Sequence, residues 1–140
     1  MGQRRRGREV VLRVLYAAAV SGEPIEDILN DQLASDASGE DAEHDDFVRR
    51  LVRKIVVEQT ELDRIIAERA VNWELDRIAL IDKIILRIGL GEILHFPDIP
   101  GKVCINEAIE LTKKYSSFDA KRFVNGILDS VYRERQPEKP

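Results

Sequence analysis

Cysteine is nearly missing from this chain: Cys104 is the only one in 140 residues. No intrachain disulfide can form, and a reducing compartment is the natural setting. Set between Val103 and Ile105, Cys104 reads as a small buried hydrophobe. Histidine is almost as scarce. His44 and His95 lie far apart in sequence and share no metal-ligand spacing with each other or with Cys104. No apolar run reaches the roughly 18 residues of a membrane span. Leu12 to Val20 comes nearest, but Arg13 interrupts it and no small-residue cleavage site follows. A cytoplasmic protein is therefore expected. Gly89-x-Gly91 lacks the third glycine of a phosphate loop and falls inside a helical pattern, so close helix packing is its better reading. Carboxylates abound over 35–46, but a flexible loop cannot hold two of them in catalytic geometry. These absences argue against catalysis, against a metal and against a cofactor.

Helical periodicity fills almost all the rest. Val10, Val11, Val14, Leu15 and Ala18 form one stripe, which predicts a first helix from about Arg5 to Val20, stopped by Ser21-Gly22. Pro24 opens a second helix through Leu33, with Ile25, Ile28 and Leu29 inward. Residues 35–45 read as an exposed loop. Phe47, Val48, Leu51, Val52 and Ile55 mark a third helix; Leu62, Ile65, Ile66 and Ala70 mark a fourth, with Trp73 just beyond it. From about Ile78 to Phe96 the apolar residues surround the helix, as in a buried central helix. Pro97 and Pro100 end it, and a sixth helix follows to about Tyr115. Ser116-x-x-Asp119 resembles a capping box that starts a seventh, with Phe123, Ile127, Leu128 and Val131 as its stripe. The expectation is an all-α fold, a single domain over 1–140 of about seven helices packed around the fifth. Its Arg-rich N-terminus is expected to be mobile and its C-terminal tail polar.

The net charge of −4 hides strong segregation. Residues 1–13 hold Arg4, Arg5, Arg6, Arg8 and Arg13 against Glu9 alone, whereas 21–46 hold ten acids and no Lys or Arg. Over 113–135, six cations face three acids. A polyanion responds to the local patch rather than the total. Arginine forks suit phosphate oxygens and stack on exposed bases. Near a helix start four cations oppose the macrodipole, at about 0.3–1 kcal/mol each if close, so stability alone does not favour them there.

Arg4-Arg5-Arg6-Gly7-Arg8-Glu9, leading into the apolar helix that ends Leu15-Tyr16, resembles the opening of the NusB family. Asp82 through Ile88, then Glu92-Ile93, is similar to that family's central helix. Ile99-Pro100, Val103, Ile105-Asn106-Glu107-Ala108 and Phe123-Val124-Asn125-Gly126 match its C-terminal motifs. The likeness is collinear along the chain; Gly7, where members often carry Ala, and the acidic 35–46 segment depart from it. The resemblance implies two small helical bundles. It also implies a transcription antitermination factor that binds boxA RNA with the ribosomal small-subunit protein NusE and joins the elongating RNA polymerase to support ribosomal RNA synthesis. Carried over residue by residue, the RNA surface is Arg4, Arg5, Arg6 and Arg8 with Asp119, Lys121, Arg122 and Phe123. The partner surface includes Asp82. Phe123 sits in its helix's core stripe, so core is the stronger reading for it than base stacking. Asn106 and Asn125 read best as buried amides bonding neighbouring helix ends. Monomer and homodimer both stay open, as does a purely protein-binding adaptor whose arginines meet an acidic partner.

Overall fold

A computed structural model describes residues 2–35, 42–70 and 77–135. Among the described residues there are six helices and no strand: α1 (Gly2–Ser21), α2 (Ile25–Ser35), α3 (Ala42–Arg69), α4 (Leu80–His95), α5 (Gly101–Tyr115) and α6 (Phe118–Arg135). The all-α expectation holds and the count of seven does not. The expected third and fourth helices are one helix of 28 residues. Phe47, Leu51, Ile55, Leu62 and Ile66, all buried, continue a single stripe with no Gly or Pro between them. Only the turn at half-buried Glu58 lacks an apolar residue on that stripe, which is what makes it look interrupted. On the outer side Arg64 pairs with both Glu61 and Glu68, one turn either way.

Both ends of the segment expected as a loop over 35–45 are helical. Ser35 ends α2, and Ala42 to Asp46 form the start of α3. Residues 36–41, Trp73 and the Pro-containing tail lie outside the described residues. Gly22 closes α1 at φ 75°, its N–H donating to the Ala18 carbonyl at 3.0 Å, the left-handed ending that glycine permits. The Pro24 carbonyl accepts from Asp27 and Ile28 at 3.1 and 3.3 Å to begin α2.

The chain divides into two compact units, Met1–Val57 and Glu58–Pro140. In the first, α1 packs on α2, with Val10, Val11, Val14, Leu29 and Leu33 buried. Arg53 of α3 makes a two-pronged bond to Glu26 of α2 at 3.0 and 2.9 Å. In the second, α4 packs on both α5 and α6, and α5 on α6. Ile84, Ile85, Leu86, Ile88 and Leu90 of α4 are fully enclosed. At about 1.5–3 kcal/mol for each such side chain, burial of α4 contributes strongly to the stability of this unit, as its all-round apolarity predicts. Gly89 makes the close approach possible: a Cβ there would stand 2.7 Å from Leu128 Cδ1 and 3.5 Å from Ala108 Cβ. Cys104 is buried as expected.

Candidate nucleic-acid interface

The arginines of the N-terminal cluster sit on the first turns of α1, which has no acid in its opening turn. Arg4, Arg5 and Arg6 are exposed, but Arg8 is only 3% exposed. That burial separates Arg8 from the three exposed arginines. Phe47 on α3, itself 4% exposed, lies beside the cluster. The Arg4 guanidinium carbon lies 4.8 Å from the Phe47 ring centroid and that of Arg8 lies 5.5 Å from it, within cation–π range. Gly7 lets the ring come this near, since a Cβ there would meet Phe47 Cδ2 at 3.0 Å. The departure from alanine at Gly7 therefore has a packing reason, and the helix runs through it from Gly2. Arg4 also lines a cavity of about 380 Å³ with Glu43, His44, Asp46, Phe47 and Arg50, so the start of α3 brings carboxylates close to an arginine of α1.

The second cluster is in the other unit, at the start of α6. Ser117, not Ser116, caps this helix: its Oγ accepts from the Ala120 N–H at 3.3 Å. Asp119 lies in the first turn, where an acid suits the helix dipole. Ser116 ends α5 and donates its hydroxyl to Asp82 Oδ1 on α4. Asp82 is thus held by a serine hydroxyl, while Arg87 on the same helix pairs with Asp63 at 2.8 and 3.0 Å. A cavity of about 310 Å³ is lined by Asp82, Asp119, Phe123, Ser117, Arg77 and Ile78. Phe123 is half-buried at its wall rather than closed into the core. Arg122 is exposed and Lys121 half-buried. Lys121 Nζ stands 5.1 Å from the centroid of Phe118, a ring that is 82% exposed.

Of the residues singled out in the sequence, the structure brings together Asp82, Asp119 and Phe123 around one cavity, with Lys121 and Arg122 between the last two on α6. Arg4, Arg5, Arg6 and Arg8 belong to the first unit and form their own cluster. Asn106 and Asn125 are corrected: both are exposed, because each lies one residue off the buried stripe and a helix turns about 100° per residue. Sequence reasoning passed over three contributors. Phe47 looked like one more core residue; Gly7, about four turns of α1 and a whole helix away, was the only hint that something pressed there. Ser116 was read as a cap. Phe118 fitted no stripe, and that misfit was its signal. Among the described residues, no group of three His, Cys, Asp or Glu side chains could hold a metal ion, and no helix is long and apolar enough to cross a membrane.

Basic clusters backed by aromatic rings, carried on packed helices, define a class: small all-α proteins whose sites are surfaces for contact. The profile of the NusB family matches residues 5–133. The chain belongs to that family. It is 40% identical over 131 residues to the transcription antitermination protein NusB of Chloroherpeton thalassium, across 94% of this chain and 62% of that one. It is 40% identical over 135 residues to the protein of that name from Myxococcus xanthus, across 94% and 95% of the two chains. Its fold matches T. maritima NusB with a TM-score of 0.87 at 34% identity, covering 96% of this chain and 93% of that one. A chain in the crystal structure of antitermination factors NusB and NusE in complex with dsRNA matches at a TM-score of 0.86 and 24% identity, over 96% and 98% of the two chains. That last likeness is one of fold.

Proposed function

We propose that this protein binds boxA-type single-stranded RNA together with NusE, joins the elongating RNA polymerase and supports elongation through ribosomal RNA operons. It works in the cytoplasm as a binding factor, not an enzyme. The observation that carries the reading is the meeting of Asp82, Asp119 and Phe123 around one cavity of the second unit. Family membership supplies the transcriptional context, and the charge segregation supplies the polyanion. Arg4, Arg5 and Arg6 offer forked donors to phosphates; on α6 Arg122 offers another and Lys121 a compact positive charge. Arg8, buried against Phe47, positions the cluster. Asp119 is an acceptor for base amino groups, and Phe123 offers a ring at the cavity wall for a splayed base. Asp82, fixed by Ser116, keeps a second carboxylate oxygen for a donor from a basic ribosomal protein.

The test is an RNA titration with and without NusE over a range of salt. Five phosphate contacts on a single strand give a log K against log salt slope of about −3.5, at about 0.7 per contact. Changing Arg4, Arg5 and Arg6 together to Ala flattens it by up to about 2 units. Specific and nonspecific RNA weaken alike, because phosphate contacts carry no sequence information. A triple variant with wild-type affinity and slope overturns the role of the Arg-rich start. If instead it keeps RNA and loses NusE, the arginines are a protein contact and the adaptor reading holds.

A further inference from the structure

Phe118 has no structural reason to be where it is. It is 82% exposed, the most open of the exposed large apolar side chains among the described residues. The buried face of α6 is formed by Ala120, Val124, Ile127, Leu128 and Val131. Phe118 lies on the opposite face with Arg122, Asn125 and Gly126, all exposed. It does not cap the helix, since Ser117 does, and phenylalanine is not a favoured helix former. Lys121 Nζ, 5.1 Å from the ring centroid, covers one ring face. That contact at an exposed site is worth less than burying the ring would be. Stability therefore leaves the phenyl group unexplained.

We propose that Phe118 is a stacking platform for one base of a bound single-stranded RNA, with Lys121 and Arg122 taking the flanking phosphates. This rests on the RNA-binding reading above and adds a residue to it. The surroundings select the occupant. An apolar peptide needs a contiguous apolar patch, whereas here cations and an amide flank a lone aromatic ring. An aromatic ring beside lysine and arginine is the arrangement that holds unpaired nucleic acid, the ring for a base and the cations for the backbone. In sequence the ring lies between Ser117 and Asp119, both of which line the cavity beside Phe123. A duplex, whose bases are stacked inside, cannot use it.

The experiment measures the full chain, with NusE present, against short single-stranded RNAs carrying 2-aminopurine at successive positions. Phe118→Ala weakens binding about five- to a hundredfold, the span for losing one stacked base. The salt slope stays unchanged, because no charge is removed. Quenching of 2-aminopurine at one position is lost in Phe118→Ala and returns in Phe118→Trp. Lys121→Ala behaves differently, flattening the slope by about 0.7. Unchanged affinity and unchanged quenching in Phe118→Ala overturn the proposal. So does an equal loss of affinity for a blunt RNA duplex. A wild-type chain that binds none of these RNAs removes the RNA reading and the platform with it. Wild-type binding that Phe118→Ala leaves intact removes the platform alone.

Discussion

Phe47 and Phe118 each carry a cation over the ring, yet one is 4% exposed and the other 82%. Their helices differ in the same sense. The start of α6 obeys the local rules, with a serine cap and an acid in the first turn; the start of α1 breaks them, with arginines and no acid. In the first unit the aromatic ring is a seat that holds arginines in place against the dipole. In the second the helix needs no such support, and its aromatic ring faces outward. Both regions depart from local preference, but by different means: charge in α1 and exposed apolar surface in α6.

The sharpest way to break this contrast is to remove each ring. Phe47→Ala is expected to cost about 3–5 kcal/mol, the range for deleting a buried phenyl group. Phe118→Ala should stay within about 0.5 kcal/mol of wild type. Denaturant melts of both variants check this, and equal losses would erase the distinction between seat and platform. Next in size is Asp82→Lys, which should weaken NusE binding at least tenfold, about 1.4 kcal/mol, with the circular dichroism of the free chain unchanged. Asp82→Asn, which keeps an acceptor for Ser116, should fall between; unaltered affinity by calorimetry in both would remove Asp82 from the partner surface. Changing Arg4, Arg5 and Arg6 together to Ala should leave thermal stability unchanged or raise it slightly, because relief of about 0.3–1 kcal/mol for each cation close to the helix end is opposed by loss of the Arg4 contact with the Phe47 ring.

The smallest effect concerns acid. The Arg53 hydrogen bonds hold the Glu26 carboxyl below the usual glutamate value. A lowered folded-state pKa contributes stability that is fully present above the ordinary glutamate range. It is lost as pH falls through the lowered value. Glu26→Gln should therefore remove a small part of the acid dependence of the first unit and change little at neutral pH, because the pair is solvent-exposed. An acid titration of thermal stability that runs parallel in both proteins would show the pair to be inert.

Much of the fold was legible because its signals are local. The all-round apolarity of 78–96 predicted the enclosed α4, and Gly89-x-Gly91 predicted close packing, seen where Leu128 meets Gly89. The errors came where a single position carried the information. One polar turn at Glu58 split α3 in two; a one-residue shift moved the cap from Ser116 to Ser117; another turned Asn106 and Asn125 from expected burial to solvent. The site was legible as residue types but not as groupings. Nothing in the spacing of Asp82 and Phe123 says that helix packing brings them to one cavity, and nothing near Arg8 in sequence says that Phe47 covers it.

Cys104 gives the molecule an internal clock. Its thiol is fully enclosed in the second unit, with Sγ 3.9 Å from the Ile99 carbonyl. A reagent added to the native protein can reach it only when that unit opens. Labelling is then timed by the opening, whose free energy follows from the rate. Because the chain has no other cysteine, the first unit is silent in such a measurement. Events at the arginines of α1 register in the thiol only as far as they change how often the helices around it come apart.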